Sequence, residues 1–271
     1  MIKRMKNKLF ATLCVAALTL GAVVPSTFNS VHAAGTPKTV YVDVEKNVLG
    51  QAPILQPVAV TLDDSSTILD ATKQAAGAAN VSSVSSGYGN YVNGFADTSD
   101  TQAVFNKNYK YYKNVKDATK GIVFTSTAAQ PIITDANWLR EKECSGISGW
   151  MFTVQNTDNN AGNYYSADTK LADLPSDAVI RWEFSAAMGA DIGLNAYLPT
   201  QTKADGYYDW NTAAYTSPFF TRANKTTLIK AMAKHSNKTD AAYTNALNDL
   251  KNLTISQADV DDDMDVSGNL K

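Results

Sequence analysis

The sequence predicts an α+β fold, and three observations carry that prediction. Two alternating strands open the N-terminal half, a helix with its own cap follows them, and two aromatic-rich strands bracket a polar loop further on. Thr39 to Val44 reads TVYVDV, which places Val40, Val42 and Val44 on one face and Tyr41 and Asp43 on the other, the pattern of a half-buried strand. Asn47 to Gln56 is a turn-rich connection, and PVAVTL, Pro57 to Leu62, is the next strand. Thr67 and Asp70 then stand at capping-box spacing ahead of Ile68, Leu69, Thr72, Ala75, Ala76 and Ala79 at helical intervals. The small residues on that helix suit close packing against a sheet.

From Val81 to about Asn114 the chain is rich in Ser, Gly, Asn and Tyr. The glycines of GYGNYVNG fit no phosphate loop, because the third comes late and no helical pattern follows. Tyr88, Tyr91, Phe95, Tyr109, Tyr111 and Tyr112 form either an exposed aromatic surface or a cover for one face of the sheet, and both loop and strand remain open for this stretch. GIVFTS, Gly121 to Ser126, predicts a strand, and Asp135 to Glu143 a short helix. GWMFTV places Trp150, Phe152 and Val154 on one face, with Met151 and Thr153 on the other. After the turn-rich NTDNNAGNYY, Ile180, Trp182 and Phe184 alternate with Arg181 and Glu183. Two such strands pack on one core, so Trp150, Phe152, Trp182 and Phe184 are the expected core residues. A Tyr-rich connection from Tyr197 to Phe220 leads to helical patterns over Thr226 to His235 and Asp240 to Asn252, the second with Tyr243, Ala246, Leu247 and Leu250 on one side.

At the N-terminus, Lys3, Arg4, Lys6 and Lys8 precede an apolar run from Leu9 to about Val24, and Val31-His32-Ala33 supplies a small-residue cleavage site. That is the layout of a secretory signal over residues 1–33, cleaved near Ala33. The run is shorter than the roughly 20 residues a spanning helix needs, and bulky Leu13 before Cys14 argues against lipoprotein processing. Cleavage would remove four basic residues and take the formal charge from −2 to −6. An acidic chain with no Lys or Arg cluster is a poor match for nucleic acid. The expected mature protein has no transmembrane segment and is secreted, or held at the cell surface by non-covalent contacts.

Without residues 1–33 the chain keeps one cysteine, Cys144, and one histidine, His235. A single thiol forms no internal disulfide, so packing must stabilise the fold. One imidazole provides neither the several ligands of a zinc enzyme nor an evident partner for a nucleophile, and no pair of carboxylates is assignable to acid and base roles. The expectation is therefore a protein that is not an enzyme and requires no cofactor. Asp259, Asp261, Asp263 and Asp265 alternate as in a calcium loop, but Met264 and Leu270 stand where such a loop needs Gly and Glu, so no metal site is expected there.

GWMFTVQN, a loop, LADLPSDAVIRWEFS and GADIG together resemble the transcobalamin-like C-terminal domain family, as do VYVDVEKNVLGQ and PVAVTL at the front. The resemblance covers Thr39 to Gly193, with Gln155-Asn156 in place of a Val-Asn-Gly type hairpin and Pro175-Ser176-Asp177 in place of an Asp-Gly-Asp turn. It implies a β-grasp-like mixed sheet with a packed helix over residues 34–195, carrying an inserted Tyr-rich segment at about 81–120. Residues 196–271 then form a Tyr-rich connection, a short C-terminal helical appendage and an acidic tail. In cobalamin carriers this module closes over one face of the corrin, while a large helical domain that has no counterpart here supplies the rest. The resemblance thus implies a bacterial exported binding module for a corrinoid or another flat hydrophobic molecule. The competing expectation is a cell-surface structural or adhesive module that binds wall polymer or a protein partner. The candidate ligand-binding residues are Tyr88, Tyr91, Tyr164 and Tyr165, as exposed aromatics, and Asp191; Tyr164, Tyr165 and Asp191 stand in loops on a rigid sheet, where binding groups usually lie.

Overall fold

A computed structural model describes residues 35–99, 135–144, 146–158, 165–201, 203–204 and 209–271. The expected signal segment, the expected strand at Gly121–Ser126, and Tyr109, Tyr111, Tyr112 and Tyr164 lie outside the described residues. In chain order the elements are strands β1 (Pro37–Glu45) and β2 (Leu55–Asp63), helix α1 (Ile68–Ala76), and strands β3 (Val81–Ser86), β4 (Gly89–Ala96), β5 (Trp138–Arg140), β6 (Gly149–Val154) and β7 (Val179–Ser185). Strands β8 (Ala196–Pro199) and β9 (Ala213–Thr216) follow, then helices α2 (Thr226–Lys234), α3 (Ala241–Lys251) and α4 (Gln257–Asp262). The fold among the described residues is thus mixed α+β, with four helices and three sheets. Gly35–Lys271 forms one compact unit.

The main sheet has the order β2-β1-β7-β6, with β1 antiparallel to β2, β7 antiparallel to β6, and the central pair β1 and β7 parallel. A second sheet, β3-β4-β5, is antiparallel, and β8 and β9 form a separate hairpin. Helix α1 starts at the predicted capping box: the Thr67 hydroxyl accepts from the Asp70 amide at 3.1 Å, and the Asp70 carboxylate accepts from the Thr67 amide at 2.9 Å. Its residues Ile68, Leu69 and Ala71 join Val40, Val42, Val44, Ile180, Trp182 and Phe184 from the main sheet in one core. Val81, Val92, Phe95 and Leu139 of the second sheet complete that core. Phe95 lies at the centre of an edge-on aromatic cluster, 4.6 Å from Trp150 and 5.8 Å from Trp182 between ring centroids.

Two sequence expectations change. The segment Asp135 to Glu143 is not helical: the Asp135 carboxylate accepts from the Asn137 amide in a turn, and Trp138–Arg140 pairs with the free edge of β4 through Phe95 opposite Leu139. Ladder pairing and an aromatic at the strand start outweigh the local helical pattern. Strand β1 is also not half-buried, because Tyr41, Asp43 and Glu45 on its second face are as enclosed as the valines on the first. The cause lies far along the chain. Helices α2 and α3 pack on that second face, where Tyr41 and Val179 join Leu228, Ile229, Met232, Tyr243, Ala246 and Leu250 in a second core. Asp240 caps α3 by accepting from the Tyr243 amide at 2.8 Å, and the His235 imidazole at the end of α2 meets the same Asp240 carboxylate at 2.7 Å, tying the two helices together.

The charged residues on the covered face form a network. Arg181 donates to Glu45 through Nε and Nη2 at 2.5 and 2.9 Å, and lies 3.1 Å from Glu183, which also accepts from Arg222 at 2.8 Å. Lys225 donates to the carbonyls of Leu250 and Asn252, both at 2.7 Å, which satisfies backbone groups at the end of α3. Asn47 bridges the Glu45 carboxylate and the Leu250 carbonyl. Burial and the adjacent Glu45 push the Asp43 carboxyl well above its ordinary value, and neither of its oxygens meets a hydrogen-bond partner of good geometry. Burial also pushes Glu45 upward, but the Arg181 guanidinium outweighs it and holds that carboxyl below its ordinary value.

Candidate functional site: an aromatic cleft

The side chains of β6 and β7 that face the first core do not all end under cover. Trp150 and Trp182 are almost fully buried, yet with half-buried Phe152 they floor a cleft of about 480 Å³ whose far wall is the β3-β4 hairpin. Both indole N–H groups are used elsewhere: Trp150 Nε1 donates to the Leu139 carbonyl at 3.0 Å, and Trp182 Nε1 donates to the Thr72 hydroxyl at 2.9 Å. These bonds fix the rings and leave only carbon surface for the cleft. Phe152 and Trp182 lie 4.7 Å apart at 35°, a tilted pair that forms one continuous aromatic wall.

The rim comes from the β3-β4 hairpin and the segment after the polar loop. Tyr91 on β4 and Tyr165, after the polar loop, flank the opening, and Tyr88 stands fully exposed at the hairpin tip. The hairpin is pinned to the 165–171 segment by Asp168, which accepts from the Asn90 amide at 2.7 Å and from its side-chain nitrogen at 2.5 Å. Those Asn90 hydrogen bonds hold the Asp168 carboxyl below its ordinary value. Gly89 sits at φ +103°, and a Cβ there would come within 2.5 Å of the Asp168 carboxylate, so glycine is what lets the two segments touch. Tyr91 donates through its hydroxyl to Glu141 at 3.0 Å. Burial, then the Glu141 charge, push its phenol upward, so it stays a neutral donor.

Three of the five sequence-selected ligand residues, Tyr88, Tyr91 and Tyr165, therefore meet at one cleft. Asp191 does not line it. That carboxylate is buried, where it accepts from the Ser185 hydroxyl and from the Ala186 amide at 2.8 Å and so shapes the loop after β7. Phe184 is fully buried and packs edge-on to Trp150 at 5.3 Å. Trp150, Phe152 and Trp182, expected as core, are core and cleft wall at once. Sequence reasoning missed Asn90, Met151 and Ser166, which also line the cleft; the available signal was the position of Asn90 and Ser166 beside selected tyrosines and of Met151 between Trp150 and Phe152.

Cys144 is buried, and burial with the nearby Glu143 carboxylate pushes its thiol upward, away from the reactive thiolate. Among the described residues no group of three or more His, Cys, Asp or Glu is placed to hold a metal ion, and no helix is long and apolar enough to cross a membrane. No family model, no curated protein and no solved structure matches the chain.

Proposed function

We propose that the protein is an exported, non-enzymatic binding module that takes up a flat, hydrophobic small molecule in the aromatic cleft. The observation that carries this reading is the convergence of six aromatic side chains, Tyr88, Tyr91, Trp150, Phe152, Tyr165 and Trp182, on a concave space of about 480 Å³. That volume lies within the roughly 300–1,000 Å³ of small-molecule sites, and the lining matches their usual make-up of apolar walls with a few polar groups. A β-grasp relationship is part of the proposal, supported by the order β2-β1-β7-β6, its parallel central pair and a helix packed across one face. A corrinoid remains one candidate ligand and, being far larger than the cleft, would enter by one edge of its ring. Export rests on the basic and apolar pattern of residues 1–33.

One observation favours the adhesive reading as a second choice. On the β8-β9 hairpin and the turn before β9, Tyr197, Trp210 and Tyr215 are 49, 49 and 79% exposed, and aromatic faces of this kind stack on the sugar rings of a polymer. The two readings separate in a tryptophan-fluorescence titration of Gly35–Lys271 with cobalamin, a base-free corrinoid and neutral N-phenyl-1-naphthylamine. Saturable quenching by at least one ligand with Kd below about 10 μM, roughly −7 kcal/mol, is expected. Tyr165→Ala should weaken it at least tenfold with little change in thermal midpoint. No quenching, together with co-sedimentation with cell-wall polymer that Tyr215→Ser abolishes, would replace this reading with the adhesive one.

A further inference from the structure

Among the described residues, the charged groups that the cleft lining hydrogen-bonds have one sign. None of its described lining residues is Asp, Glu, Lys, Arg or His, and two of them hydrogen-bond to charged side chains: Tyr91 to Glu141, and Asn90 to Asp168. Both partners are carboxylates. Among the described residues no Lys, Arg or His lines the cleft. Arg140, next to Glu141 in sequence, is committed elsewhere, with its Nε on Asp135 at 2.9 Å, its Nη1 on Ser82 at 3.0 Å, and its guanidinium stacked 4.7 Å over Trp138. The aromatic walls add to the asymmetry, because the face of each ring carries the negative part of its quadrupole.

We infer that the cleft selects flat organic cations, an aromatic or polycyclic body bearing an ammonium or other delocalised positive charge, over neutral and anionic molecules of the same shape. This rests on the reading of the cleft as a binding site. The body would lie against Phe152 and Trp182 while the charge sits toward the rim, near Tyr91, Glu141 and Asp168. Carboxylates placed one hydrogen bond behind the lining attract a cation without presenting a fully desolvated charge to the empty cleft. A flat anion would face two carboxylates and the negative faces of the rings.

Three naphthalenes that differ only in their substituent test the inference by tryptophan quenching of Gly35–Lys271: 2-(trimethylammonio)naphthalene, its neutral isostere 2-tert-butylnaphthalene, and 2-naphthalenesulfonate. The cation is expected to bind at least tenfold more tightly than the neutral isostere, with the sulfonate weakest. Glu141→Gln keeps an acceptor for the Tyr91 hydroxyl but removes the charge. It should reduce the cation's advantage at least threefold and leave the neutral isostere's Kd unchanged. Equal affinities for the cation and the neutral isostere would overturn the charge selection and leave the cleft a binding site. Binding by none of the three would overturn both, whereas a Glu141→Gln effect that is the same on the cation and the isostere, taken with loss of thermal stability, would overturn the charge selection alone.

Discussion

Asp43 and Glu45 are two residues apart on the same face of β1, both fully enclosed, and their environments push them in opposite directions. Glu45 holds a two-pronged bond from Arg181, whereas Asp43 has burial and a neighbouring carboxylate against its charge. Removing one partner of a buried, hydrogen-bonded ion pair typically costs about 3–5 kcal/mol. Glu45→Gln is therefore expected to destabilise the protein by about that amount. Asp43→Asn, which replaces a group already disposed to be neutral by a neutral one of the same shape, should leave the urea midpoint at pH 7 unchanged or raised. Equal losses in the two variants would show that the network needs both charges.

At the scale of elements, Lys225 is the joint between α2 and α3, since it precedes the first and bonds the last carbonyls of the second. Burial, then the facing Arg181 charge, lower its ammonium from 10.5 to about 7. Between about pH 7 and 10.5 the unfolded chain holds this proton and the folded one does not. The unfolded state then binds more protons, so this group makes stability rise with pH across that window, and its contribution is lost as pH falls through about 7. Lys225→Met should flatten the rise in urea midpoint between pH 7 and 10 relative to wild type, and parallel profiles would remove Lys225 as its source.

Much at this scale was legible in the sequence. Strands β1, β2, β6 and β7 followed from alternation, and α1 from Thr67 and Asp70, because these signals are local. The second cover on β1 and β7 was not legible, because alternation says which residues share a face and nothing about what will lie on it. Alternation set Arg181 and Glu183 opposite Ile180, Trp182 and Phe184, and only α2 and α3 show what covers them. The cleft was half legible for the same reason: Tyr88, Tyr91 and Tyr165 stood out as aromatics in polar sequence, whereas nothing local says that the wall beside Trp150, Phe152 and Trp182 stops short.

For the molecule as a whole, the main sheet is enclosed from both sides, by α1 and the β3-β4-β5 sheet on one face and by α2 and α3 on the other. The second cover keeps Asp43, Glu45, Arg181 and Glu183 from water. A chain ending at Thr221 would lose that cover, together with Arg222 and Lys225. It is expected to lose cooperative thermal unfolding and near-ultraviolet dichroism while binding anilinonaphthalene sulfonate, the behaviour of a loosely packed state. A sharp transition in the truncated chain would show that the sheet and its first cover suffice. The parallel pairing at the centre of the sheet has a kinetic consequence. Glu45 and Arg181, bonded across β1 and β7, are 136 residues apart, so the first strand synthesised cannot reach its central partner until most of the chain has left the ribosome. Closing so long a loop before it is rewarded makes folding slow, and it leaves β1 an open edge throughout synthesis, available to a chaperone or to a passing copy of itself.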